Sequence, residues 1–507
     1  MSRVEPLTVE DTNAAAVALR DLPEADVEEF RRSVIEAVTA GGRICALFGT
    51  PCDGDRLGLI AVVAPGPGRL ALLSTVVGRG YPSLTPDCPQ AAGFEREIAE
   101  QWGVRPEGHP WLKPLRRHPP LRPGAVAWDG PPDAATVLPA APFFAVDGDE
   151  VHEVAVGPVH AGIIEPGHFR FQCHGERVLH LEISLGYQYR GVERALMGGP
   201  DRRTVHYIET AAGDTTVGHA LAHAQVTEAL SGCRPSTRAE ALRGVALELE
   251  RLANHAGDLG ALAGDIGYLP TASFCGRLRG DFLNLTALAC GSRLGRGWVR
   301  PGGVAFDAQP YAGEILDRLD AAMQDLGRSV GLLWGTSTAR ARFEETGTLS
   351  AGLSRELGLV GPPARACGIE QDVRRDHPSG AYRQAPFAVV TWPTGDVFAR
   401  ARVRSLEAKE SAGIIHALLD GIPDGPTLQP AGPLRPACIA VSLVEGWRGE
   451  ICHVAVTDDR GRLARYKIVD PSFHNWPGLA MAMRQQAISD FPLCNKSFNL
   501  SYCGHDL

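Results

Sequence analysis

The 507-residue chain carries 50 Lys and Arg against 59 Asp and Glu, a net charge of −9, with 44% hydrophobic and 21% charged residues. That balance is ordinary for a globular protein, and the acidic excess without any Lys/Arg run excludes a nucleic-acid footprint, so no nucleic-acid partner is expected. No apolar run approaches the roughly 18 residues that span a bilayer, and Met1-Ser2-Arg3-Val4-Glu5 does not open an export signal. The expectation is a chain of two or three domains, cytoplasmic or peripheral on the cytoplasmic side. Its twelve cysteines are scattered, with no C-x-x-C pair. They read as small buried apolar residues rather than a disulfide framework.

In chain order, residues 1–40 read as helix, with Val27, Phe30, Val34 and Val38 at helical spacing. Three apolar runs follow, Ile44–Phe48, Leu57–Ala64 and Leu70–Val77, separated by Gly- and Pro-bearing turns. They read as strands of a small α+β domain. Gly93–Val104 then reads as an amphipathic helix ending at glycine. Here three blocks occur in order: Tyr81-Pro82-Ser83-Leu84-Thr85-Pro86, then Phe94-Glu95-Arg96-Glu97-Ile98, then Gly103-Val104 leading to Glu107-Gly108-His109-Pro110. This succession resembles the 30-kDa subunit of respiratory complex I, a domain also fused to the large subunits of formate-hydrogenlyase-type hydrogenases. The expected division is a 30-kDa-like α+β domain over 1–115, a Pro/Gly/Ala-rich linker over 116–150, and a larger domain over 151–507.

The larger domain opens on Gly157-Pro158-Val159-His160-Ala161-Gly162-Ile163-Ile164-Glu165-Pro166-Gly167-His168-Phe169-Arg170. Glycines allow left-handed backbone and close approach while prolines stiffen the path, so such a loop can hold His160, Glu165 and His168 in place. The bland alternative is a Gly/Pro turn with surface histidines. Phe169–Cys173 alternates as a strand does, His174-Gly175-Glu176 turns it, and Arg177–Gly186 returns. Residues 205–425 read as mostly helical, with a capping-box pattern at Thr237-Arg238-Ala239-Glu240, a loop-rich section near 294–310 and a polar loop over Glu370–Gly380. Strands are expected again at Cys438–Glu445, Glu450–Thr457 and Leu463–Val469, with a turn at Asp458–Gly461. The fold class is therefore α+β: a small N-terminal α+β domain, then a mainly helical domain with small β elements near both of its ends.

The Gly157–Phe171 stretch resembles the large subunit of group 4 [NiFe] hydrogenases and, more distantly, the 49-kDa subunit of complex I. Leu185–Arg194 resembles the family's Gly-Tyr-x-His-Arg-Gly-x-Glu-Lys, with Tyr189 at the usual histidine. Val444–Glu450 resembles its Glu-x-Pro-Arg-Gly-Glu, with Trp447 replacing proline. The resemblance implies two C-x-x-C pairs holding nickel and iron, since soft thiolates suit those metals. Aligned on His219, the first pair falls on Ala212 and Thr215. The second falls on Ser501 and Gly504, with Cys503 nearby. The expectation is that this chain binds no metal through them.

Complex I implies a different use of the cavity, reduction of a quinone by a histidine and a tyrosine. His168 matches the histidine, Gly213 stands near the tyrosine's position, and Asp265 matches an acidic position lining the cavity. His160, His168 and Asp265 are thus the expected quinone-type binding residues. Glu165, placed like the hydrogenase proton-relay glutamate with one extra residue, and His168 are the expected catalytic pair; a solvated loop carboxylate is the alternative for Glu165. The resemblance implies an electron-carrying subunit of a membrane-associated complex related to complex I and formate hydrogenlyase. It would sit on the inner face of the cell membrane with no cofactor of its own. A partner like the 20-kDa complex I subunit would supply a [4Fe-4S] cluster, integral-membrane subunits would lie beneath, and the acceptor would be quinone-like. A non-catalytic structural subunit is the alternative, and a working [NiFe] hydrogenase the least expected reading.

Overall fold

A computed structural model describes residues 7–10, 13–52, 54–116, 118–124, 142–162, 164–385 and 387–507. The first six residues, the middle of the linker (125–141) and Ile163 lie outside the described residues.

The expectation of helix through residue 40 is corrected. Two strands come first, β1 (Leu7–Glu10) and β2 (Ala16–Ala18), and only α1 (Val27–Thr39) is helical. Asp26 caps α1 by accepting from the Glu29 amide at 2.9 Å. Upstream of that cap the backbone is captured by other strands, and this tertiary pairing overrides local propensity. β3 (Arg43–Pro51), β4 (Leu57–Gly66) and β5 (Arg69–Val77) follow the three apolar runs and give an antiparallel sheet in the order β1-β5-β4-β3.

β6 (Gly80–Pro82) pairs in parallel with β7 (Arg105–Glu107), and α2 (Ala92–Trp102) lies between them, ended by left-handed Gly103. The Tyr81–Pro86 and Phe94–Ile98 blocks belong together physically. The fully buried Glu95 carboxylate accepts from the Leu84 and Thr85 amides at 2.8 and 3.1 Å and from both flanking hydroxyls at 2.5 Å.

The second half of the chain begins with a three-stranded sheet, β10-β9-β8, from β8 (Val151–Val156), β9 (His168–His174) and β10 (Arg177–Ser184). Its hairpin is the one the alternation predicts. Helices then dominate: α3 (Val192–Leu196), α4 (Thr204–Glu209), α5 (Thr216–Ser231), α6 (Thr237–Asp265) and α7 (Leu269–Cys290). The cap of α6 is Ser236, not Thr237. Its hydroxyl accepts from Ala239 N at 3.1 Å, and Thr237 is already the first helical residue. The short pair β11 (Val299–Arg300) and β12 (Gly303–Val304) fills the loop-rich section. Then come α8 (Ala312–Gly335), α9 (Ser337–Phe343), α10 (Ala351–Leu357), α11 (Gly361–Arg365), α12 (Val373–Asp376) and α13 (Val397–Asp420). The largest core packs α5, α6, α7, α8 and α13 together.

The chain closes with β13 (Cys438–Gly446), β14 (Gly449–Thr457), β15 (Leu463–Val469), α14 (Pro471–Ala482), α15 (Phe491–Phe498) and α16 (Tyr502–His505). Strand β2 joins this sheet, pairing Ala16–Ala18 with Cys438–Ala440 in the order β15-β14-β13-β2. Ile439, Val441, Leu443 and Val454 share one core with Phe48, Ile60 and Phe94 from the N-terminal sheet and α2. Residues 1–115 and the C-terminal sheet are therefore built around a common apolar layer. The start of the expected linker is equally fixed. Arg116 is 1% exposed, pairs with Glu97 at 2.6 Å and donates to the His505 carbonyl at 2.7 Å.

The polar Glu370–Gly380 segment is a loop with one short helix, and its central charges are buried rather than solvated. Arg374 binds Asp372 at 2.7 Å and Glu248 of α6 at 3.0 Å. Arg365 binds Glu407 at 2.6 Å and Glu445 at 2.8 Å. Burial by itself would raise the Glu248 carboxyl, but Arg374 and Arg251 overcome it and hold the group at about 2. Burial is likewise overcome at Glu97 by Lys467 and Arg116, again at about 2. A carboxyl depressed on folding stabilises fully above its unfolded value of about 4.3, and that contribution is lost as pH falls through the folded value. Thermal denaturation should therefore show stability falling between about pH 4.5 and pH 2. Glu248→Gln, which leaves Arg374 short of a buried partner, should cost about 3–5 kcal/mol at pH 7 and flatten that acid limb.

Candidate functional site

The Gly157–Gly167 loop joins β8 to β9 and folds back on itself. Gly157 has φ +81°, and a Cβ there would lie 2.2 Å from the Gly167 carbonyl oxygen. A Cβ on Gly167 would lie 2.5 Å from the Tyr502 ring, so both positions require glycine for close approach. The Gly167 amide donates to the Pro158 carbonyl at 3.1 Å. Half-buried His160 donates from Nε2 to the Gly167 carbonyl at 2.8 Å. It is a clamp of the loop.

His168, buried at the start of β9, lies with Nδ1 3.2 Å from the Gly157 carbonyl, and Arg170 Nε donates to its Nε2 at 3.3 Å. A carbonyl only accepts and a guanidinium only donates, so His168 is the neutral Nδ1–H tautomer. Phe143 lies 5.2 Å from its ring. Glu165 faces elsewhere: its Oε2 accepts from the Tyr502 amide at 3.2 Å, and its carboxylate also meets the Cys503 thiol. Among the described residues no hydrogen bond joins Glu165 to His168. Asp265 stands apart again, exposed at the C-terminal end of α6, where Lys496 of α15 faces it.

The two segments aligned with the thiolate pairs do meet. The turn between α4 and α5 carries Ala212 and Thr215, both buried, and the tail carries Ser501, Cys503 and Gly504. The Gly213 amide reaches the Cys503 sulfur. Arg190 binds the carbonyls of Thr210 and Ala211 at 2.5 and 2.7 Å and that of Cys503 at 3.4 Å, stapling turn to tail. Ser501 caps α16 by accepting from the Gly504 amide at 2.9 Å, and its oxygen lies 3.4 Å from the Cys503 sulfur.

What stands between turn and tail is Arg448. Its guanidinium grips the Asp214 carboxylate with two parallel bonds, one at 2.7 Å. It also donates to Thr215 Oγ1 at 3.2 Å and to the Asn499 carbonyl at 2.5 Å. Trp447 Nε1 donates to the same Thr215 oxygen at 3.1 Å, and the Arg448 guanidinium lies 3.9 Å from the Trp447 ring centre. Asn499 in turn binds Asp258, which Arg404 pairs at 2.7 Å. A thiolate-bridged metal pair does not fit these residues. Ala212 offers no ligand atom, the Thr215 oxygen is taken by two donors, and Cys503 is a lone thiol.

Sequence reasoning placed the turn and the tail but passed over Arg448, Trp447 and Asp214 as site residues. The Trp447 replacement of proline, beside an arginine, was the available signal. It also used His219 only as an alignment mark. In the structure His219 binds Asp470 and His453 inside the C-terminal sheet. A histidine in the otherwise apolar Ile451–Val456 run was the sign of that network.

A family model described as the respiratory-chain NADH dehydrogenase 49 Kd subunit matches residues 265–437. The carbon monoxide-induced hydrogenase of Rhodospirillum rubrum is 30% identical over 69% of this chain and 97% of its own. Hydrogenase-4 component G of Escherichia coli is 28% identical over 84% of this chain and 75% of its own. Among solved structures, a chain of the membrane-bound sulfane sulfur reductase, an archaeal respiratory membrane complex, has the same fold. The two align with a TM-score of 0.65 at 23% identity, over 72% of this chain and 100% of that one. The chain thus belongs to the family of hydrogenase large subunits and complex I 49-kDa-like subunits. No helix among the described residues is long and apolar enough to cross a membrane.

Burial raises the Cys503 thiol, and the adjacent Glu165 carboxylate raises it further, to about 11. The thiolate is the reactive form, and an unperturbed thiol has a pKa of about 8.5. Iodoacetamide at pH 7.5 should therefore leave Cys503 unmodified in the folded chain and label it in the denatured one, as read by peptide mass mapping. Labelling of the folded chain at the denatured rate would contradict this environment.

Proposed function

We propose that this chain is the hydrogenase-like large subunit of a membrane-associated respiratory redox complex, without a nickel–iron centre. In this reading it passes electrons from a partner iron–sulfur subunit to a quinone-like acceptor, or couples that transfer to the membrane arm. The observation that carries the reading is the residue set where turn and tail meet: Ala212, Thr215, Ser501 and Gly504 stand at the positions aligned with the family's thiolates, with Cys503 a lone thiol beside them. The rest of the large-subunit plan remains in place around it, including the clamped loop with His160, Glu165 and His168.

The partners proposed are a [4Fe-4S] subunit resembling the 20-kDa subunit of complex I and integral-membrane subunits, with this chain peripheral on the inner face of the cell membrane. The names of its relatives, a hydrogenase component among them, support an assembly of several chains. Within this reading His160 and His168 contribute to quinone-type binding, while Asp265, exposed at the end of α6, stands apart from them. Glu165, next to the tail, is the group that takes or gives a proton. An acid held in fixed geometry transfers protons better than a mobile one. The structural-subunit alternative is supported by the separate surroundings of Glu165 and His168, which share no hydrogen bond.

Glu165→Gln and His168→Ala, made in the assembled complex, test the choice. Both variants should assemble and lower electron transfer or coupled proton transfer at least tenfold, a cautious figure beside the roughly 10²–10⁴-fold typical of general acid–base groups. Full turnover in both would leave the structural reading in its place. Gentle extraction from the native host should also recover the chain with an iron–sulfur subunit and membrane proteins. Recovery as a cluster-free monomer would count against the assembly.

A further inference from the structure

Five buried titratable side chains outside the loop form an unbroken row. His219 and His223 project from one face of α5, four residues apart. His453 lies on β14, Tyr466 on β15, and Asp470 is the cap of α14. His219 Nε2 lies 3.1 Å from Asp470 Oδ2, and His219 Nδ1 lies 3.0 Å from His453 Nε2. His453 Nδ1 and His223 Nδ1 each lie 3.0 Å from the Tyr466 hydroxyl. Four of the five sit on a helix or a strand and Asp470 caps a helix, so the spacing is set by the scaffold.

The donors can be ordered by elimination. Asp470 already accepts the Ser472 amide at 2.8 Å, and its position near Arg448 favours the ionised, acceptor-only form. His219 must therefore donate from Nε2, which leaves its Nδ1 to accept from His453 Nε2–H. His453 Nδ1 then accepts from the Tyr466 O–H, and the Tyr466 oxygen accepts from His223 Nδ1–H. All four bonds point one way, and His223 Nε2 is left with a free lone pair. Burial keeps His453 and His223 neutral, with His223 lowered to about 4.

We propose that this row is a proton wire between His223, its most exposed member, and the buried wall of the turn-and-tail site at Asp470. His223 is 4% exposed, the other four members 1% or less. At the inner end Asp470 packs on Gly504, where a Cβ would lie 2.7 Å from its carboxyl carbon, in the one-turn helix that holds Cys503. Arg448 and His474 are the other charged or titratable groups facing Asp470, and Cys452 faces Tyr466.

The transfer balances. A proton taken up on His223 Nε2 moves the His223 Nδ1 proton to the Tyr466 oxygen and the Tyr466 proton to His453 Nδ1. The His453 Nε2 proton passes to His219 Nδ1 and the His219 Nε2 proton to Asp470. One proton enters, one arrives, and each imidazole ends neutral in its other tautomer. The use of that proton rests on the proposed redox function. The wire itself does not, and it is tested without turnover.

Nitrogen-15 NMR of the full-length chain with labelled histidines should find Nε2–H at His219 and His453 and Nδ1–H at His223. Nδ1–H at His453, or a doubly protonated His219 at neutral pH, would overturn the wire whatever the variants do. Tyr466→Phe keeps the ring and removes the relaying hydroxyl. It should slow solvent exchange of the His219 ring proton at least tenfold while backbone amides of β14 and β15 exchange as before. His223→Gln should slow it similarly from the His223 end. Unchanged ring-proton exchange in a folded variant would also overturn the proposal.

Discussion

The site is organised by one guanidinium. Arg448 holds the turn before α5 through Asp214 and Thr215, and holds the tail through the Asn499 carbonyl. A planar fork of five donors can do this, whereas a lysine's three donors on one nitrogen cannot reproduce the bidentate grip on Asp214 while reaching both sides. The remaining Asn499 amide passes the constraint to Asp258 on α6 and so to Arg404 on α13. Turn and tail are thus held together by charge-assisted hydrogen bonds. Arg190 supports them at the other side of the turn, through carbonyls alone.

Buried ion pairs join elements elsewhere in the interior too. Glu97, Arg116, Lys467 and Glu193 join α2, the linker start, β15 and α3 in one buried set. Glu248, Arg374, Asp372 and Arg365 join α6 to the loop before α13. Breaking one member of such a set leaves its partner charged and dry, so these clusters define the relative placement of the elements more than they add net stability. The N-terminal sheet, the C-terminal sheet and the helices therefore meet at fixed positions, and the Gly157–Gly167 loop is presented against the tail by that frame.

The local elements were readable wherever pattern and turn chemistry agreed. The Phe169–Gly186 hairpin, α2 with its terminal glycine, and the three strands after residue 437 follow from alternation and Gly signals. The helix over Val27–Thr39 was readable, but the residues before it were not, because β1 and β2 are strands only by pairing with β5 and β13, far along the chain. The Glu370–Gly380 segment has the composition of a solvated loop. Its burial depends on Glu248, 126 positions away from Arg374, and no local rule reports that. The cap of α6 was off by one because Ser236 and Thr237 are both good caps and only the backbone decides. At the site, the absence of C-x-x-C pairs was visible in the residues. The joining of turn and tail by Arg448 was not, since Asp214 and Arg448 lie 234 positions apart.

The metal content of the natively purified complex tests the account most directly, because a bridged metal pair needs several thiolates and Cys503 is a lone thiol where turn and tail meet. Elemental analysis should find nickel far below one atom per copy of this chain, alongside iron carried by partner subunits. About one nickel per chain would contradict the account.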